Sequence, residues 1–214
     1  MKTLTKQMQA AITPSQALDL LKEGNKRFVN NLKVNRNLLQ QANETSDGQH
    51  PFAVILSCID SRTSAELIFD QGLGDIFSVR IAGNIINEDI LGSMEFACKI
   101  AGSKIIVVLG HTKCGAVKGA CDHVEMGNLT NLLSKIRQAA DDELSTSENR
   151  NSENTDFVEK VAVINIKRTV KAIVERSTIL KEMVEKGEIE IIGGVHDIAT
   201  GHVTLFEDTL LGAK

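Results

Sequence analysis

Residues 104–115 read KIIVVLGHTKCG, and this stretch decides the fold. Residues 104–109 form a short, nearly continuous apolar run rich in β-branched side chains, the pattern of a strand buried on both faces. The run stops at Gly110, and residues suited to chemistry follow at once: His111, Thr112, Lys113 and Cys114. Working outward, three more runs share this character: 52–57 (FAVILS), 76–81 (IFSVRI) and 189–192 (IEII). A fifth, 203–206, follows a turn-like 199–201. Helical patterns fill the spaces between, over 64–69, 90–100, 114–122, 128–140 and 158–185. Buried strands alternating with helices predict an α/β fold with a parallel sheet.

Upstream, Thr13-Pro14 is a hydroxyl cap followed by proline at the first helical position. Ala17, Leu18, Leu21 and Phe28 then recur at helical spacing, so an amphipathic helix is expected from Pro14 to about Asn31. The polar stretch 35–49 reads as a crossing to the first strand. Residues 141–156 (DDELSTSENRNSENTD) carry one apolar side chain, Leu144, and read as a surface loop or mobile connector within one domain. Gly193-Gly194 reads as a turn.

The chain has 214 residues, with 24 Lys+Arg against 28 Asp+Glu and a net charge of −4. This balance gives no electrostatic footprint for nucleic acid or an anionic membrane surface. There is no Trp or Tyr, so base stacking would have only seven Phe to use. Partners are expected to be small molecules or copies of the chain itself. No window approaches the apolar length of a transmembrane helix. The opening MKTLTKQMQAAITPS lacks the unbroken apolar stretch of a secretory signal. A cytoplasmic location is expected, or a periplasmic one if a signal has been removed or replaced.

Four cysteines, at 58, 98, 114 and 121, are too few for a disulfide scaffold of this size. Cys98 and Cys121 read as small buried hydrophobes. Cys58 and Cys114 stand elsewhere in the pattern. In an open parallel sheet, ligands bind beyond the carboxyl ends of the strands. One strand runs into Cys58-Ile59-Asp60-Ser61-Arg62, another into Gly110-His111-Thr112-Lys113-Cys114-Gly115. If the two strands are neighbours, Cys58, His111 and Cys114 meet. Two thiolates, one imidazole and a fourth position left to water make a catalytic zinc arrangement. Asp60, held ionised by Arg62, would orient that water or displace it and ligate the metal. The spacing also suits Asp60 as a helix cap with Arg62 as its surface partner. His50, His123, His196 and His202 have no partner at ligand spacing and read as surface or satisfied core residues. No vicinal C-x-x-C supports redox chemistry, and no glycine pattern makes a phosphate loop.

With these residues in place, the sequence resembles the β-class carbonic anhydrases from about Gln49 to Phe206. The resemblance rests on CIDSR (58–62), VRIAGN (79–84), EFA (95–97) and GHTKCGAVKG (110–119). It implies reversible hydration of carbon dioxide to bicarbonate and a proton through a zinc-bound hydroxide. One Zn2+ per chain would be held by Cys58, His111 and Cys114, with Asp60 and Arg62 as the dyad beside it. The family sheet has strand order 2-1-3-4 with a fifth strand at the edge. Position 55, three before Cys58, is Ile rather than Trp, and Gln49 lies shortly before the first strand, so the chain is similar to the open, glutamine type. Substrate contacts implied by the family are Gln49, an aromatic wall of Phe77 and Phe96, and the backbone N–H of Gly115. Plain core packing is the other reading of the two phenylalanines. His50 is a candidate proton shuttle. The resemblance further implies a homodimer, or a tetramer of paired dimers, in which residues 1–48 form a helical arm on the partner and 49–214 the single catalytic domain. The apolar stripe of the arm is the physical reason offered for that partner. Two alternatives stay open: a related zinc hydrolase acting on COS or CS2, which would share these ligands, and a non-catalytic zinc-stabilised module.

Overall fold

The fold is seen in a computed structural model that describes residues 3–212. Five strands form one sheet: β1 Ala53–Ser57, β2 Ile76–Arg80, β3 Ile105–His111, β4 Glu190–His196 and β5 Val203–Leu211. Their order is β2-β1-β3-β4-β5, the first four parallel and β5 antiparallel at the edge. The helices are α1 Lys6–Ala11, α2 Pro14–Val29, α3 Leu38–Glu44, α4 Ala65–Ile68, α5 Glu88–Glu95, α6 Gly115–Cys121, α7 Gly127–Asp142, α8 Thr155–Arg176 and α9 Thr178–Glu185. None is long and apolar enough to cross a membrane.

Strand alternation explains why the central runs are apolar throughout. Val54, Leu56, Ile106 and Val108 pack on one face against Ile166, Val170 and Ile173 of α8. Ala53, Ile55, Ile105 and Val107 pack on the other, against Ala17, Leu18 and Leu21 of α2 and Ile68 of α4. With both faces covered, every residue of β1 and β3 is buried. Each large side chain taken fully out of water contributes roughly 1.5–3 kcal/mol. A third cluster, around Cys58, Cys114, Val117, Ile136 and Val161, closes the carboxyl ends of the central strands.

Several expectations are corrected. Gly193-Gly194 is not a turn but the middle of β4. A Cβ at Gly193 would lie 2.7 Å from Ile166 Cγ2, and one at Gly194 would lie 3.0 Å from the Thr204 carbonyl, so the strand lacks side chains where α8 and β5 come close. The pattern over 158–185 is two helices, broken at Ser177. The Ser177 hydroxyl caps α9 by accepting from Leu180 N and donates to Glu95 Oε1 at 2.6 Å. The helix expected over 90–100 starts earlier, at a cap supplied by Asn87, and ends in a wide π turn over Phe96–Ile100. The crossing 35–49 contains α3, started by Asn37 accepting from Gln40 N. The stripe of α2 needs no second subunit: Ala17, Leu18 and Leu21 are buried in this chain's own core. The polar segment after α7 is a surface loop, but a pinned one. Arg150 donates to the Ala140, Glu143 and Thr146 carbonyls and lies 4.7 Å over the Phe157 ring.

Candidate metal centre

Cys58 follows directly on β1, and His111 is the last residue of β3, its neighbour in the sheet. Cys114 is the residue that starts α6. The turn between them is tight: Lys113 takes a left-handed φ of 57°, and its N–H donates to Glu159 Oε1 at 2.8 Å. Among the described residues, Cys58, His111 and Cys114 form a buried group whose potential ligand atoms all lie within 4.8 Å of one another. Side chains from two strands therefore meet as the spacing required.

The chemistry of the group is unfinished without a cation. His111 Nδ1 donates to the Thr112 carbonyl at 2.9 Å, which leaves Nε2 as a lone pair; that atom is buried with no hydrogen-bond partner. Hydrogen bonding with Cys114 holds the Cys58 thiol well below the ordinary range against the cost of burial, and the Gly83 N–H at 3.4 Å adds to it. The Cys58 thiolate in turn pushes Cys114 well up, with burial adding to it. A divalent cation between the two sulfurs would let both ionise. Burial pushes His111 down, but the adjacent Cys58 thiolate outweighs this and its pKa is raised. Donor types, burial and the orphaned lone pair all fit zinc.

Asp60 and Arg62 stand beside this group. Arg62 donates Nε to Oδ1 at 2.9 Å, Nη2 to Oδ2 at 2.7 Å and its backbone N–H to Oδ1 at 2.9 Å. These bonds hold Asp60 well below the usual carboxylate range. Its Oδ2 lies 4.0 Å from His111 Nε2. Asp60 is not the cap of α4; Ser64 occupies that position. Arg80, unassigned in the sequence reading, pins the loop by donating to the Cys58 carbonyl at 3.1 Å and the Asp60 carbonyl at 2.6 Å. Thr63 donates to the same two carbonyls.

The substrate candidates lie apart. Gln49 precedes β1 and so stands at the far end of the strand from Cys58; β1 alone spans about 17 Å. His50 shares that end. Phe77 pairs with Val54, three residues before the end of β1, and makes an edge contact with Phe96 at 6.3 Å between ring centres. Gly115 is exposed at the start of α6, near the cluster. His196 is a correction: it is neither surface nor satisfied. It pairs with His111 across β3–β4, is buried, and neither ring nitrogen has a hydrogen-bond partner among the described residues. Burial lowers its pKa to about 4. No local spacing signals this, because only sheet register brings residues 111 and 196 together. Cys98 and Cys121 are buried thiols pushed up by burial to about 12 and about 11, the inert character expected of them.

A mostly parallel sheet that presents two thiols, an imidazole and an arginine-held carboxylate at its strand ends defines a metalloenzyme site. A family model described as "Carbonic anhydrase" matches residues 53–203. The chain is 35% identical over 201 residues to Carbonic anhydrase 2 of Mycobacterium tuberculosis, covering 90% of this chain and 92% of that one. It is 34% identical over 194 residues to the carbonic anhydrase of Mycolicibacterium smegmatis, covering 90% and 93%. Among solved structures, the β-carbonic anhydrase CafA of Aspergillus fumigatus superposes with a TM-score of 0.69 at 28% identity, covering 94% of this chain and 91% of that one. The β-carbonic anhydrase CcaA superposes at 0.70 with 26% identity, covering 89% and 95%. The chain belongs to the β-class carbonic anhydrases and is an enzyme of that family.

Proposed function

We propose that the chain binds one Zn2+ through Cys58, His111 and Cys114 and hydrates carbon dioxide reversibly to bicarbonate and a proton. The observation that carries this reading is the convergence of those three side chains beside an ionised Asp60. A zinc ion held there supplies Lewis acidity, which lowers the pKa of water and takes up negative charge on oxygen. The protein's own groups do the positioning. Arg62 keeps Asp60 charged and fixed, so Oδ2 accepts the hydrogen of the attacking oxygen and turns its lone pair toward carbon. Because Arg62 already occupies both oxygens of Asp60, the dyad suits the open form of the site rather than a carboxylate-capped one. The N–H of Gly115, the exposed residue after Cys114, would hold a substrate oxygen.

Carbon dioxide is small and apolar and needs a dry wall more than strong binding. Gln49, Phe77 and Phe96 would supply orientation and wall from a second copy, which makes the working unit a homodimer or a tetramer built from two. Two features support this. Gln49 is out of reach of its own Cys58. The β2 edge is unpaired, with Phe96 53% and Ile100 74% exposed beside it.

Metal analysis should find about one zinc per chain. Stopped-flow hydration should be fast in the wild type, and Cys58→Ala should lose both metal and activity. Slow hydration by fully zinc-loaded wild type at both pH 7 and pH 9 would overturn the reading. Side-by-side turnover of carbon dioxide and CS2 separates it from a COS or CS2 hydrolase.

A further inference from the structure

The loop after β2 makes a turn at Ala82–Asn84 in which Gly83 takes a φ of 68°. A Cβ there would lie 2.4 Å from Ile136 Cδ1, so both backbone conformation and space demand glycine. Two bonds leave this residue in opposite senses. Its N–H donates to Cys58 Sγ at 3.4 Å. Its carbonyl accepts from Asn165 Nδ2 at 2.9 Å. Asn165 lies on α8, is 3% exposed, and sits on a helix whose inward neighbours Ile166 and Val170 are apolar. A buried amide in an apolar helix face is costly unless its bond is used, and here it anchors the Gly83–Asn84 peptide, next to the Ala82–Gly83 peptide whose N–H faces Cys58.

We infer that Asn165 is a positioning residue for the metal centre: it holds the Gly83 turn so that the Gly83 N–H points at the Cys58 sulfur. The inference rests on the reading of Cys58, His111 and Cys114 as the metal ligands. An N–H bond to a ligating thiolate draws charge from sulfur and fixes its direction, and outer partners of this kind typically change metal retention by about 10- to 100-fold. Asn165 touches neither substrate nor metal, so its effect is on the ligand alone.

Cobalt(II)-loaded protein gives a readout independent of turnover. In Asn165→Leu, which keeps the volume and removes the donor, the sulfur-to-cobalt charge-transfer band should move to lower energy. A chelator should strip zinc about 10- to 100-fold faster than from wild type. Asn165→Ala should shift the band in the same direction, and it carries the comparison if the leucine variant does not fold. Val170→Ala, buried on the same helix, controls for general loosening and should leave the band in place. Folded Asn165 variants with the wild-type band and release rate would overturn the inference. So would a Val170→Ala variant that reproduces the change. Wild type that takes up no cobalt would overturn the metal-ligand reading itself, a result distinct from both.

Discussion

Two of the buried polar clusters in the described residues differ in what is left over. Around Asp70, no carboxylate oxygen is. Arg27 and Arg36 donate to its two carboxylate oxygens, and the Val34 N–H donates as well. At the strand ends, His111 Nε2 and both ring nitrogens of His196 have no hydrogen-bond partner among the described residues. Folding satisfies nearly every buried polar group it can. The first cluster therefore ties α2 and the segment before α3 to the end of α4. The second keeps the His111 Nε2 lone pair free of any donor among the described residues. A completed cluster serves stability; an incomplete one marks chemistry.

The largest effect expected from breaking this contrast is on the Asp70 side. Asp70→Ala strips Arg27 and Arg36 of their carboxylate; the Arg36 side chain is only 6% exposed, so the loss should be about 3–5 kcal/mol in denaturant unfolding. Burial alone would raise the Asp70 pKa, but the two arginines outweigh it and the folded value is lowered. A depressed folded pKa gives stability that is present above the unfolded carboxylate value, about 3.9, and is lost as pH falls through the folded value. The gap between wild type and Asp70→Ala should thus be constant from pH 8 to 5 and narrow below about 4. On the chemical side, Arg62→Ala should keep the wild-type metal content, measured by metal analysis, while hydration falls by about 10²-fold, because Asp60 loses the group that orients it. Gly193→Ala sharpens the comparison from the core. Overpacking against Ile166 should cost about 1–3 kcal/mol in thermal unfolding, with activity per folded molecule unchanged. Lys171→Ala, which removes an exposed helical pair with Glu175, should cost less than about 0.5 kcal/mol by the same measurement.

Much of this was legible in the chain because the signals are local. Ile105–Leu109 is buried on both faces, so its sequence is apolar throughout, and the strand declares itself. The cluster of Cys58, His111 and Cys114 was legible because each follows such a run by a few residues. What was hidden depends on contacts made across the fold. Gly193-Gly194 has the composition of a turn, and only the approach of Ile166 and Leu205 makes it a strand. α3 is short, and its polar face hides a start set by Asn37. The roles of Arg80, Gly83 and His196 come from loop closure and sheet register, which no spacing rule encodes. Asn165 sits in a helix pattern as one polar residue among apolar ones, and nothing local names its partner.

The placement of Gln49 at one end of β1 and Cys58 at the other has a stoichiometric consequence. With about 17 Å of strand between them, one copy does not bring both to one substrate, so a use of Gln49 in turnover would be shared between copies. Subunits defective at Gln49 and subunits defective at Cys58 would then complement each other when mixed, each hybrid pair regaining a single intact centre.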